Sequence, residues 1–188
     1  MPEALVGMLS DEDAVETATR IGVPKIMARL SIFRILLRHE KYAKAMSDLL
    51  LTLLAGDHLA HRHREILIMR IGWITGSVYE WTEHWRIAQL FGVDPQELLA
   101  VRDWRSHEGF DRQDRTLLAA VDEVVVDGAL SDETRIALAE GFDEMTLLEL
   151  LGAIGTWWMI SVVLKGLAVP LDAGDTPWPP DGKVPPTG

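Results

Sequence analysis

Apolar residues recur at helical spacing along almost the whole chain, and helix start and stop signals punctuate them at short intervals. Period-2 alternation between turn clusters is nearly absent. Val124-Val125-Val126 is the only β-branched triplet, and it sits in a helical frame. The pattern predicts a helix after the cap Ser10, one from Pro24 towards Arg38, and one from Glu40 to Leu54 that ends at Gly56. Next come His63 to Ile74, stopped by Thr75-Gly76, and a helix capped by Ser77 that reaches Phe91-Gly92. Asp94-Pro95 opens a short helix through Val101. Asp111 to Val126 follows and ends at Asp127-Gly128, and Ser131 to Gly141 is the next segment. A long apolar helix then starts at Asp143 or Thr146 and runs to Leu167. This predicts an all-α, compact helical bundle.

At ~150 residues per domain, 188 residues give one all-helical domain over 1–174 and a tail over 175–188 that holds five of the nine prolines. The tail reads as an extended strap or a mobile segment. The apolar helices Leu147 to Leu167 and Ile26 to Leu37 offer more apolar surface than a small bundle hides, which predicts a homo-oligomer, with Trp178 of the tail anchoring on a neighbouring subunit.

A net charge of −11 repels phosphate backbones and anionic lipid, so nucleic-acid and membrane-surface partners are not expected. The amino terminus has no basic segment ahead of an apolar one. The longest uncharged run, Leu150 to Leu164, is 15 residues, short of the ~20 that span a bilayer. The expected location is cytoplasmic. There is no cysteine, which excludes disulfides, iron–sulfur clusters, Cys-based zinc sites and thiol mechanisms.

The stretch Arg62 to Glu97 carries the candidate chemistry. Ser77, Glu80, Trp81 and His84 fall at i, i+3, i+4 and i+7 on one helix face. Glu65 lies on the preceding helix, which a short turn makes an antiparallel neighbour. An imidazole between two carboxylates can move protons, and Trp73, Trp81 and Trp85 could supply the dry walls that shift their affinities. The competing reading is a structural Glu–His contact among core tryptophans. His58, His61 and His63 with Glu65 form a dense cluster, but alternate residues at a helix entry diverge by about 200°. They read as solvated loop histidines, and no metal or other cofactor is expected.

Glu65, the apolar run Ile66 to Ile71, Gly76-Ser77-Val78-Tyr79-Glu80-Trp81, His84, Ala88, Gly92-Val93 and Glu97 together resemble the carboxymuconolactone decarboxylase family, also called the alkylhydroperoxidase-D-like family. The resemblance covers roughly residues 40–125, and Thr156 to Pro170 resembles the ending of longer members. It implies a proton relay at Glu65 and His84. It places Ser77 and Glu80 where the peroxidase branch has the cysteines of a C-x-x-C motif. A hydroxyl and a carboxylate cannot be oxidised and recycled as thiols are, so thiol peroxidase or peroxiredoxin activity is not expected.

The decarboxylase branch needs no cysteine. The resemblance therefore implies a carboxy-lyase-like role in aromatic-compound catabolism: acid–base decarboxylation, lactone opening or isomerisation of a small organic acid or lactone. Glu65, Glu80 and His84 would be catalytic, and Ser77, Trp81 and Trp73 would line the substrate site. Family members also imply a dimer, trimer or hexamer. A substrate carboxylate needs a cationic clamp, and Arg62, Arg64, Arg70 and Arg86 are nearby, although Arg70 and Arg86 lie off the shared face. The alternative is a non-catalytic small-molecule-binding or assembly protein that keeps the relay as a structural network.

Overall fold

The structure is a computed structural model and describes residues 4–186. Among the described residues there are α-helices and 3-10 turns but no strand. The chain separates into two compact units, one ending at Gly56 and taking in Val162–Asp175, the other built from Asp57–Ser161 and the segment from Thr176 onward.

The first unit carries α1 (Asp11–Ile21), α2 (Ser31–Leu36) and α3 (Glu40–Leu54). The Ser10 hydroxyl accepts the N–H of Asp13, so α1 starts where the cap predicts. The single helix expected from Pro24 to Arg38 is broken into a 3-10 turn, Met27–Arg29, and α2. Leu30 between them is extended (φ −73, ψ 137), and the Asp172 carboxylate takes the Ser31 N–H at 2.6 Å. A cap supplied from 141 residues away starts a new helix, and no local pattern announces it.

The second unit contains α4 (His61–Thr75), α5 (Val78–Leu90), α6 (Pro95–Ala100), α7 (Arg112–Asp127) and α8 (Asp132–Gly141). The Asp94, Asp111 and Ser131 side chains cap α6, α7 and α8 as their sequences predict. Helix α4 is the centre of this unit. Every residue from Arg64 to Trp73 is buried, and α4 packs against α5, α6 and α7. Helix α9 (Glu144–Gly166) belongs to the second unit as far as Ser161 and to the first from Val162.

By length and composition α9 could cross a bilayer. Its inner face is nevertheless a protein core of Leu150, Ala153, Ile154, Trp157 and Ile160, while Met145, Leu148 and Trp158 face outward. Of the apolar residues from Ile26 to Leu37, Ile26 is the one that is strongly exposed, at 78%.

Helices α4 and α5 meet unusually closely because of Gly72. A Cβ at this position would lie 3.1 Å from the Trp81 backbone nitrogen and 3.5 Å from the Glu80 Cβ. Backbone cannot swing aside as a flexible side chain can. Gly72→Ala should therefore lose about 1–3 kcal/mol to overpacking, against a helix-propensity gain of about 1 kcal/mol. The expected net result is a melting temperature about 2–4 °C lower. An unchanged or higher midpoint in a calorimetric melt would contradict this close approach.

Candidate functional site

Because α4 is buried on every side, each of its charged residues must find a partner inside the protein. Arg70 does so with a bidentate pair to Asp122 at 2.6 and 3.0 Å, and it also donates to the carbonyls of Val101 and Arg102. Arg62, at the helix entry, donates to both Glu97 and Asp114, and these two acids hold its guanidinium well above its ordinary pKa. Glu65 is wholly buried, between the Arg64 guanidinium, 3.5 Å away, and the His84 imidazole.

His84 is the residue on α5 that spacing placed opposite Glu65, and its Nδ1 lies 2.8 Å from Glu65 Oε2. Its other nitrogen is occupied as well. The Trp157 indole N–H on α9 donates to His84 Nε2 at 3.2 Å. An acceptor at Nε2 fixes the ring proton on Nδ1, directed at the Glu65 carboxylate. The set is thus a chain of contacts from Arg64 through Glu65 and His84 to Trp157.

Glu80, four residues before His84, is buried apart from that chain. Ser161 on α9 donates a short hydrogen bond to Glu80 Oε2, while Oε1 has no hydrogen-bond partner. Burial pushes the Glu80 carboxyl up to about 8, partly offset by the hydroxyls of Ser161 and Ser77, which favour its charged form. Ser77 occupies the N-cap position of α5 through its backbone, accepting the Trp81 N–H at 3.1 Å. Its buried hydroxyl makes no capping bond and no well-formed hydrogen bond, but lies near enough to Glu80 to favour the charged carboxylate.

A cluster of indoles lies on the Trp81 side. Trp81 is fully buried, with Trp73 at 5.3 Å and Trp85 at 6.5 Å between ring centroids. The Arg102 guanidinium sits over Trp73 at 4.7 Å and over Trp81 at 4.6 Å. The tail folds onto this cluster within the same unit. Trp178 lies 6.0 Å from Trp73 and 6.1 Å from Trp81, and the Pro179 carbonyl accepts the Trp81 indole N–H. Asp181 pairs with Arg102, whose guanidinium holds this carboxyl at about 2.

The structure thus brings Glu65 and His84 into contact, sets Glu80 against Ser161, and joins Trp73 to Trp81. Trp178 docks on its own chain. The histidines near the start of α4 take separate roles: His61 stacks on Phe91 and meets Arg64, while His63 faces Asp114 and Phe142. Of the arginines considered as a clamp, Arg62 and Arg70 hold internal acids, Arg86 pairs with Glu83, and Arg64 lies beside Glu65. Ser161, Trp157, Arg102 and Trp178 join the site without being singled out as site residues from sequence. They lie 12 to 88 residues beyond the end of α5, and the polar Ser161 within an apolar helix is the signal that could have pointed to the α9 contribution.

Comparison with known proteins agrees with the fold. Residues 40–123 match the carboxymuconolactone decarboxylase family. No curated protein matches the chain. Among solved structures, the chain is similar to ATU0492 of Agrobacterium tumefaciens, which carries the AhpD name. The TM-score is 0.67 at 21% identity, covering 72% of this chain and 94% of that one. It is also similar to the debrominase Bmp8 in complex with 2,3,4-tribromopyrrole, at TM-score 0.74 and 17% identity over 91% of this chain and 93% of that one. A third likeness is to an alkylhydroperoxidase AhpD core, a peroxidase-related protein of Ralstonia eutropha JMP134. Here the TM-score is 0.72 at 14% identity, over 92% of this chain and 94% of that one. Such low identities speak for the shared fold alone. Residues 40–123, which run from α3 into α7 and contain no cysteine, thus match the carboxymuconolactone decarboxylase family, in a chain whose fold is AhpD-like.

Proposed function

We propose that the protein carries out cofactor-independent acid–base chemistry on a small organic acid or lactone, with Glu80 as the proton donor. The observation that carries this reading is the buried Glu80 carboxyl, which burial pushes up to about 8 and whose Oε1 makes no well-formed hydrogen bond. In a decarboxylation the carbon–carbon bonding electrons pass to a dienolate as carbon dioxide leaves. Glu80 gives its proton to the dienolate carbon and is re-protonated from water. Ser161 and Ser77 can stabilise the transient Glu80 carboxylate, since their hydroxyls favour its charged form. Glu65 holds His84 in one tautomer, and Trp157 guards its second nitrogen. His84 thus serves as a reserve proton acceptor that opens only when the indole turns away. Lactone opening and isomerisation ask for the same donor.

A second reading is favoured by the Trp157 contact. With both ring nitrogens engaged, the Arg64–Glu65–His84–Trp157 chain can be a purely structural network in a protein that binds without turnover.

Assay of muconolactone-type acids separates the two readings. Glu80→Gln should lower kcat by 100-fold or more, and His84→Ala should lose both activity and stability, by about 1–3 kcal/mol for the stranded Glu65 acceptor. Turnover by wild type that Glu80→Gln fully retains would overturn the assignment of the donor. His84→Ala with lowered stability and unimpaired turnover would assign the chain to structure alone.

Protein stability gives a check that needs no substrate. The folded protein keeps the Glu80 proton up to about pH 8, whereas the unfolded chain releases it near 4.5. Glu80 therefore stabilises the fold fully below pH 4.5, and this contribution is lost as pH rises to about 8, at up to about 1.4 kcal/mol per pH unit. Glu80→Gln should flatten the fall in melting temperature between pH 5 and 8. Parallel wild-type and Glu80→Gln curves would place the carboxyl at an ordinary acidity.

A further inference from the structure

Arg102 is placed as a ligand-binding arginine would be. Its guanidinium is clasped by the faces of Trp73 and Trp81, and its side chain is 12% exposed. Its two terminal nitrogens form a fork that holds a single carboxylate at 2.8 and 3.0 Å. Its Nε is buried and has no hydrogen-bond partner, so the fork still has a donor to spend. A planar guanidinium held against aromatic faces is a recognition element for a planar carboxylate, and the indoles beside it give a dry surface for a ring.

What occupies this element is the chain's own tail. The segment from Thr176 onward has no helix among its described residues. Trp178 lays an aromatic ring against Trp73 and Trp81, and Asp181, three residues later, delivers the carboxylate to Arg102. The Gly182 N–H donates to the Trp178 carbonyl at 2.8 Å, which closes the turn and holds ring and carboxylate on one short loop. A ring and a carboxylate on a short linker is the outline of a small aromatic acid.

We propose that Arg102, Trp73 and Trp81 form a binding site for small aromatic carboxylic acids, occupied at rest by Trp178 and Asp181 of the tail, which an incoming acid displaces. The site lies on the Trp81 side of α5, one residue along from Glu80. The inference rests on the reading of the protein as one that handles small organic acids, and it supplies the cationic clamp that Arg62, Arg64, Arg70 and Arg86 do not provide. It narrows the substrate class to acids bearing an aromatic ring or one of similar flatness.

Calorimetric titration of the full-length protein with benzoate tests it, with benzamide lacking the charge and acetate lacking the ring. Asp181→Asn keeps the shape of the tail and removes its claim on Arg102. It should bind benzoate at least tenfold more tightly than wild type, with benzamide and acetate binding far more weakly to both proteins. Adding Arg102→Gln to Asp181→Asn should abolish the gain. Trp178→Leu, which removes the ring and leaves Arg102 intact, should also tighten benzoate binding and guards against a folding defect in the Arg102 variant.

Equal benzoate affinity in wild type, Asp181→Asn and Trp178→Leu, or no binding by any of them, would overturn the proposal. So would an Asp181→Asn protein that melts earlier without binding benzoate better, since the tail would then be a structural clamp. Failure here and failure of the acid–base reading are distinguishable. Benzoate binding reports on Arg102 without turnover, and the stability profile of Glu80→Gln reports on the donor without any ligand.

Discussion

The buried acid at Glu65 sets the terms for the second unit. A carboxylate removed from water costs several kcal/mol unless its partners are well placed, and Glu65 has one neighbour on its own helix, Arg64, and one on the next, His84. Meeting His84 fixes how α5 turns and slides along α4. Trp157 extends that constraint to α9. Gly72 allows the approach, since the contact to the Trp81 backbone leaves no room for a side chain. The same register delivers Glu80 to Ser161 and Trp81 to the indole cluster, so the position of Glu80 follows from the pairing of a different acid.

Much of this was legible in the residue order wherever the cause is local. Ser10, Asp94, Asp111 and Ser131 start their helices because a side-chain oxygen reaches an N–H two or three residues on, and Gly76 and Gly128 end theirs with left-handed backbone. Glu65 and His84 could be paired because helical spacing and a short turn leave them one arrangement. Where the cause is remote, the pattern failed. The break at Leu30 depends on Asp172, and the clasp around Arg102 depends on residues on α4 and α5 and on the tail. The arginines judged by proximity along the chain turned out to be occupied in holding the fold, because a helix buried all round consumes its own charges.

Burial pushes the Glu80 carboxyl up because its partners are hydroxyls, which offset little of the cost of ionising out of water.

The family resemblance implies a cysteine of the peroxidase branch where this chain has Glu80. A thiol pair there is an electron reservoir, charged and discharged by cellular reductants. A carboxyl poised near neutrality stores a proton instead. With no cysteine the chain offers no thiol for such chemistry, and on the proposed reading its state would follow the acidity of its surroundings.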